Sequence, residues 1–144
     1  MKLIFLLLFN ACVAIASAQN IVYRDNAFYI DDKKIVSIKQ THYKHIQQRY
    51  FVQANNGDDL VKIYDSKIEL NRSPSMIVKF LNDNRICIVA RNNPDFGFII
   101  NQVRELIRLK VINEGDINPQ AEKSFIEKHP APKGYEDVDD MRLY

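Results

Sequence analysis

Between residues 20 and 90 the chain alternates short runs of aromatic and β-branched residues with polar turns, the pattern of β-strands. Ile21-Val22-Tyr23 and Phe28-Tyr29-Ile30 flank Asp25-Asn26. Asp31-Asp32 follows as a second turn, and Lys33 to Lys39 forms a return strand carrying Ile35, Val36 and Ile38. Residues 40–47 read as a polar link, and Tyr50-Phe51-Val52 as the next strand. Asn55-Asn56-Gly57-Asp58 is the clearest turn, because Gly57 takes positive φ at no steric cost. Leu60 to Tyr64 runs back from it.

Ser73-Pro74-Ser75 punctuates the chain, and Met76 to Leu81 and Arg85 to Arg91 then flank Asn82-Asp83-Asn84. Val78 and Phe80 alternate with Lys79, so this strand has one wet face. Its partner is apolar at both parities: Ile86, Ile88 and Ala90 on one, Cys87 and Val89 on the other. A strand covered on both faces reads as central. Hairpins begin near residues 27, 49 and 76; the uneven spacing makes a meander and not a repeat array.

The period then changes. Asn93 suits an N-cap, Pro94 the first helical position and Asp95 the positive end of a helix. Ile99, Val103, Leu106 and Lys110 recur at helical spacing, with Ile100 and Ile107 alongside and Arg104, Glu105 and Arg108 opposite. The spacing predicts an amphipathic helix over about 94–110, packed on the sheet. Pro119 to Lys128 predicts a short helix docked by Phe125 and Ile126. Residues 129–144 hold Pro130, Pro132 and Gly134, then Glu136-Asp137-Val138-Asp139-Asp140, and read as an extended or mobile end.

The expected fold is therefore α+β: an antiparallel β-meander of about six to eight strands, curled or barrel-like, covered by one amphipathic helix and followed by a polar tail. In element order alone it resembles pleckstrin-homology-like domains, and fold by itself does not carry function.

The first eighteen residues form a separate unit. Lys2 precedes apolar runs from Leu3 to Phe9 and Ala11 to Ala16, and Ala16-Ser17-Ala18 precedes Gln19. That is the pattern of a secretory signal cleaved after Ala18. A spanning helix wants about 20 apolar residues, and this run is shorter and broken by Asn10. Lipidation at Cys12 is a weaker rival, because Phe9 and Asn10 suit that pattern poorly. The expected organisation is a signal at 1–18, a globular domain at 19–113, and a short helix with an acidic end at 114–144. The expected location is exported, either periplasmic or secreted.

Removing residues 1–18 takes away Lys2 and no acid, leaving 19 bases against 18 acids. That balance argues against a general nucleic-acid binder. The charge is uneven: residues 19–113 hold 15 bases and 10 acids, residues 114–144 eight acids and four bases. Simple attraction would lay the tail on the body, and salt would weaken that contact. Cys12 leaves with the signal, so Cys87 stands alone as a small buried hydrophobe without an internal disulfide.

The strongest candidate for chemistry is Thr41-His42-Tyr43-Lys44-His45, within an acid-free stretch from Lys33 to Gly57. It lacks the ligands of a metal site, since the remaining histidine is His129 in the tail. An anion or partner contact fits better: Lys39, His42, Tyr43, Lys44, His45, Arg49 and Tyr50 could meet a carboxylate, sulfate or phosphate. The plain alternative is a solvated loop. Four glycines, at 57, 97, 115 and 134, build neither a phosphate loop nor a nucleophile elbow. Asp58-Asp59 is half of a calcium loop without its other ligands. Asn71-Arg72-Ser73 matches a glycosylation acceptor, with Pro74 directly after it.

No cofactor, metal or catalytic residue is expected. The leading functional expectation is a non-catalytic binding protein whose partner is a protein, glycan or small molecule. Its binding surface would be the 39–49 segment, an exposed sheet edge or the acidic tail. The alternatives are a carrier of a lipid or other apolar molecule in an internal cavity, and a hydrolase with a dispersed site.

Overall fold

A computed structural model describes residues 19–43, 47–92 and 95–135, without the side chains of Tyr43, Gln47 and Lys67. The signal segment with Cys12, the expected caps Asn93 and Pro94, and residues 136–144 lie outside the described residues.

Seven strands follow one another in a single antiparallel meander, each paired with its chain neighbour. They are β1 (Ile21–Arg24), β2 (Ala27–Ile30), β3 (Lys33–Tyr43), β4 (Gln47–Gln53), β5 (Asp59–Leu70), β6 (Ser73–Phe80) and β7 (Ile86–Ala90). Helix α1 (Phe96–Arg108) packs on the sheet. A two-stranded ribbon, β8 (Ile112–Asn113) and β9 (Asp116–Ile117), leads to α2 (Pro119–Lys128).

Short turns drive the meander. Asp25-Asn26, Asp31-Asp32 and Asn71-Arg72 each join two strands with both central residues at positive φ. Such turns match the right-handed twist of the strands they join, and Asp and Asn tolerate them best after glycine. At the ribbon turn glycine is required: Gly115 has φ +85, and a Cβ there would stand 3.1 Å from the Ile35 carbonyl oxygen. The ribbon is a strand pairing where the sequence shows no strand pattern, since two-residue strands are too short to display a period.

The sheet's concave face is filled. Phe28, Val36, Val52, Ile63, Val78, Phe80 and Cys87 meet Ile99, Val103, Leu106 and Ile107 from α1 and Phe125 from α2. The helix starts at Phe96, with Asp95 as its N-cap residue and no side-chain cap bond. It ends as a Schellman motif: Lys110 N donates to Ile107 O at 3.0 Å and Val111 N to Leu106 O at 2.9 Å. Lys110 takes φ +61, the position glycine usually fills. At the start of α2, Asn118 Oδ1 accepts from the backbone of Gln120 and Ala121, with Pro119 directly after the cap.

The sheet is open: β1 pairs only with β2, and β7 only with β6 among the sheet strands. Two expectations are corrected. The strand expected to be central, β7, is the last of the meander. It is apolar at both parities because both its faces are covered, Cys87 and Val89 by the helices and Ile88 by a second apolar cluster on the convex face. The polar link expected at 40–47 is mostly strand, since β3 continues to Tyr43 and β4 begins at Gln47.

Candidate functional site: the convex face of the sheet

Antiparallel register decides which side chains share a face, because opposed residues point the same way and successive residues alternate. Two rows follow on the face away from α1. Lys39 opposes Phe51, Phe51 opposes Lys62, Lys62 opposes Lys79 and Lys79 opposes Ile86. In the next row Thr41 opposes Arg49, Arg49 opposes Tyr64, Tyr64 opposes Ile77 and Ile77 opposes Ile88. Lys39, Arg49, Lys62 and Lys79 therefore share one surface with Phe51 and Tyr64, and no acid stands in either row.

Lys62 Nζ lies 5.7 Å from the Phe51 ring centroid and 5.2 Å from that of Tyr64. Each aromatic face attracts the ammonium by about 0.5–1 kcal/mol at exposed sites. Lys79 is 6% exposed, and a cation so far removed from water needs polar or anionic company.

The apolar half of this face is covered by the chain's own later residues. Ile88 N donates to His129 O at 3.1 Å, and Cys87 bridges to Pro130, so the chain crosses the edge of β7 there. Ala131 and Tyr135 then pack against the cluster of Tyr64, Ile77 and Ile88. Tyr135 N donates to Pro132 O at 3.0 Å, closing a turn around Gly134 at φ +76.

The residues expected to form one anion contact fall on two faces. Lys39 and Arg49 belong to the convex rows. His42 opposes Gln48 and shares the parity of Tyr50, on the α1 side of the sheet. Tyr50 is buried with its ring 5.6 Å from Phe96, and its hydroxyl donates to Gln48 Oε1 at 2.5 Å. Burial raises its pKa above 10.0, reinforced by Asp65 against the pull of Arg91. Tyr43 ends β3; Lys44 and His45 lie outside the described residues. Lys62 and Lys79 come from other strands, and the only sequence signal for them was parity within their own runs.

A second polar cluster lies at the β6–β7 turn. Glu122 of α2 is fully buried, accepts from Asn82 Nδ2 at 3.0 Å and lies 3.2 Å from Arg85 Nη2. Arg85 Nε also donates to Asp83, and its backbone N–H donates to Asp83 Oδ1 at 3.1 Å. Burial raises the Glu122 carboxyl, and the nearby Asp83 charge adds to it against Asn82 and Arg85. Burial also pushes Asp83 up, but the hydrogen bonds from Arg85 outweigh it and leave Asp83 low. This network fastens α2 to the turn.

Clefts open at the surface among the described residues, these three among them. One of about 420 Å³ lies between Ile30, Lys33 and Lys110, and one of about 320 Å³ between Asn55 and Gly115. The third, about 560 Å³, lies beside Phe98, Glu105 and His129. Among the described residues no group of His, Cys, Asp and Glu has the makings of a metal site, and no helix is long and apolar enough to cross a membrane.

No known protein family matches the chain, and neither a curated protein nor a solved structure matches it.

Proposed function

We propose that the chain is an exported, non-catalytic binding protein whose convex sheet face takes an acidic segment of a partner protein. The observation that carries this reading is the register that lines up Lys39, Arg49, Lys62 and Lys79 on one face with Phe51 and Tyr64, in two rows that hold no acid. A row of cations spaced by strands suits carboxylates spaced along a chain, and the rings add apolar area for the intervening residues. The same face already carries a stretch of polypeptide, residues 131–135, which supports a peptide rather than a compact solute as its ligand. Export rests on the pattern of residues 1–18.

The carrier reading has less support. The concave face that would enclose a ligand is filled by α1, and the clefts described above open at the surface. The hydrolase reading needs carboxylates converging in a cleft. Asp83 and Glu122 do converge, but they line none of those three clefts and serve the docking of α2.

Poly-L-glutamate titrated into the exported protein tests the proposal. Saturable binding that weakens steeply between low and physiological salt is expected. Failure to bind at low salt, or binding indifferent to salt, would overturn it.

A further inference from the structure

We infer that Asn56 is a site of spontaneous covalent modification, where the side-chain amide closes on the Gly57 nitrogen and the loop between β4 and β5 converts to an acidic form. The inference is independent of the binding face.

Three observations lead to it. The first is sequence. Asn56 is the only asparagine of the chain that precedes a glycine. A glycine carries no Cβ to shield its nitrogen from the side chain before it, and the space around Gly57 is open. The second is exposure. Residues 55–59 all face solvent, so water and hydroxide reach the loop. The third is the setting of the amide. The backbone N–H of Asp58 donates to Asn56 Oδ1 at 3.1 Å, the atom on which negative charge develops when Cγ is attacked. Asn56 Nδ2 donates to Asp58 Oδ2 at 2.7 Å, which fixes the way the amide faces. One contact opposes the reaction: the Gly57 N–H donates to Ala54 O at 3.0 Å. That bond must open first, so the folded chain reacts more slowly than the unfolded one.

The step balances without any cofactor. Hydroxide takes the Gly57 amide proton, and the nitrogen bonds to Asn56 Cγ. The Cγ–Nδ2 bond then breaks, and the amide leaves as ammonia with a proton from water. Water opens the resulting succinimide on either side of its nitrogen. One product is aspartate at position 56. The other is isoaspartate, whose main chain runs through the former side-chain carbon and is longer by one atom.

Either product replaces the Nδ2 donor by a carboxylate, which can only accept, facing the carboxylate of Asp58. The added charge also borders the cleft that Asp58, Glu114 and Asp116 line. The longer main chain of isoaspartate further disturbs the turn closed by Gly57 N to Ala54 O and by Ala54 N to Asp58 O at 2.9 Å.

The test incubates the folded full chain at mildly alkaline pH and follows every asparagine by peptide mass spectrometry, with isoaspartate detected by enzymatic methylation. Position 56 should convert ahead of every other asparagine, and faster as pH rises. Asn56→Gln, whose longer side chain closes a less favourable ring, should remove this early release of ammonia. In the converted protein the amides of Ala54 and Gly57 should exchange with solvent faster than in the parent. Earlier conversion of another asparagine would overturn the inference. So would an unchanged Asn56 in the folded chain under conditions where the urea-unfolded chain converts.

Discussion

Lys62 stands directly opposite Phe51 in the ladder between β4 and β5, with its ammonium 5.7 Å from the Phe51 ring. The pair couples a charge to an aromatic surface in the middle of the basic rows. Because it lies on the sheet face away from α1, it contributes little to the main core. Lys62→Glu is expected to lower affinity for poly-L-glutamate about tenfold or more. Stability should change by less than about 1 kcal/mol, as for surface charge changes generally. Binding isotherms and thermal melts of the two proteins check both halves.

The concave core behaves differently. Val103 and Leu106 are fully buried where α1 meets the sheet. Leu106→Ala should cost about 2–5 kcal/mol through lost transfer energy and a cavity. Val103→Asp should unfold the domain, because no partner for a carboxylate stands among those apolar side chains. Urea denaturation of the first variant and amide dispersion of the second are the measurements. A folded, soluble Val103→Asp protein would contradict the core described.

The buried Glu122 network predicts a pH dependence with a definite sign. Glu122 has its folded pKa raised above the ordinary 4.5, chiefly by burial. Its contribution to stability is therefore complete below the unfolded value and declines as pH rises through the folded one. Asp83 is lowered, so its contribution is present above 3.8 and declines only as pH falls through its folded value, in a more acidic window. His129 is lowered from 6.5 by burial and by Lys128, against Glu105, so its contribution is lost on acidification. Both proteins in a comparison with Glu122→Gln keep His129, and its effect cancels. The variant should thus gain on the parent as pH rises above the ordinary carboxylate range. Parallel stability profiles from pH 4 to 8 would show that the Glu122 carboxyl is not raised in the folded protein.

Lys110 closes α1 in a conformation that costs a residue with a Cβ about 1 kcal/mol or more. Its side chain donates to Gln19 at 2.5 Å in an exposed pair, which offsets little of this. Lys110→Gly is expected to stabilise the protein by about 1 kcal/mol and raise the melting temperature by a few degrees.

Cys87 is buried, its Sγ 3.7 Å from Val78 O, and burial with the Glu122 charge pushes its pKa up to about 12. In the folded protein it should resist a thiol-specific reagent at pH 8 and react only after denaturant is added.

Much of this architecture is legible in the residues. The meander, the amphipathic helix and α2 at Pro119–Lys128 follow from the spacing of apolar residues and the turn residues between them, because most of these elements have one covered face. The ends of β3 and β4 are not legible: both faces are polar there, so alternation of apolar and polar residues cannot mark a strand. The place of β7 is misread for the opposite reason. Cover from α1 on one face and from Ala131 and Tyr135 on the other imitates a central strand. The candidate site divides along the same line. Nearness in sequence grouped Lys39 and Arg49 with His42 and Tyr50, whereas strand alternation separates them. Lys62 and Lys79 join the first pair only through register, which depends on turns and bulges that no single strand encodes.

The central claim is that the convex face, and not the concave side or a surface cleft, receives an acidic polypeptide. Amide spectra of the uniformly labelled protein, recorded during titration with poly-L-glutamate at low salt, test it most directly. The account predicts shifts concentrated at Lys39, Thr41, Arg49, Phe51, Lys62, Tyr64 and Lys79, fading as salt is added. Shifts centred instead on His42, Phe98 or Lys110, or no shifts at all, would contradict it.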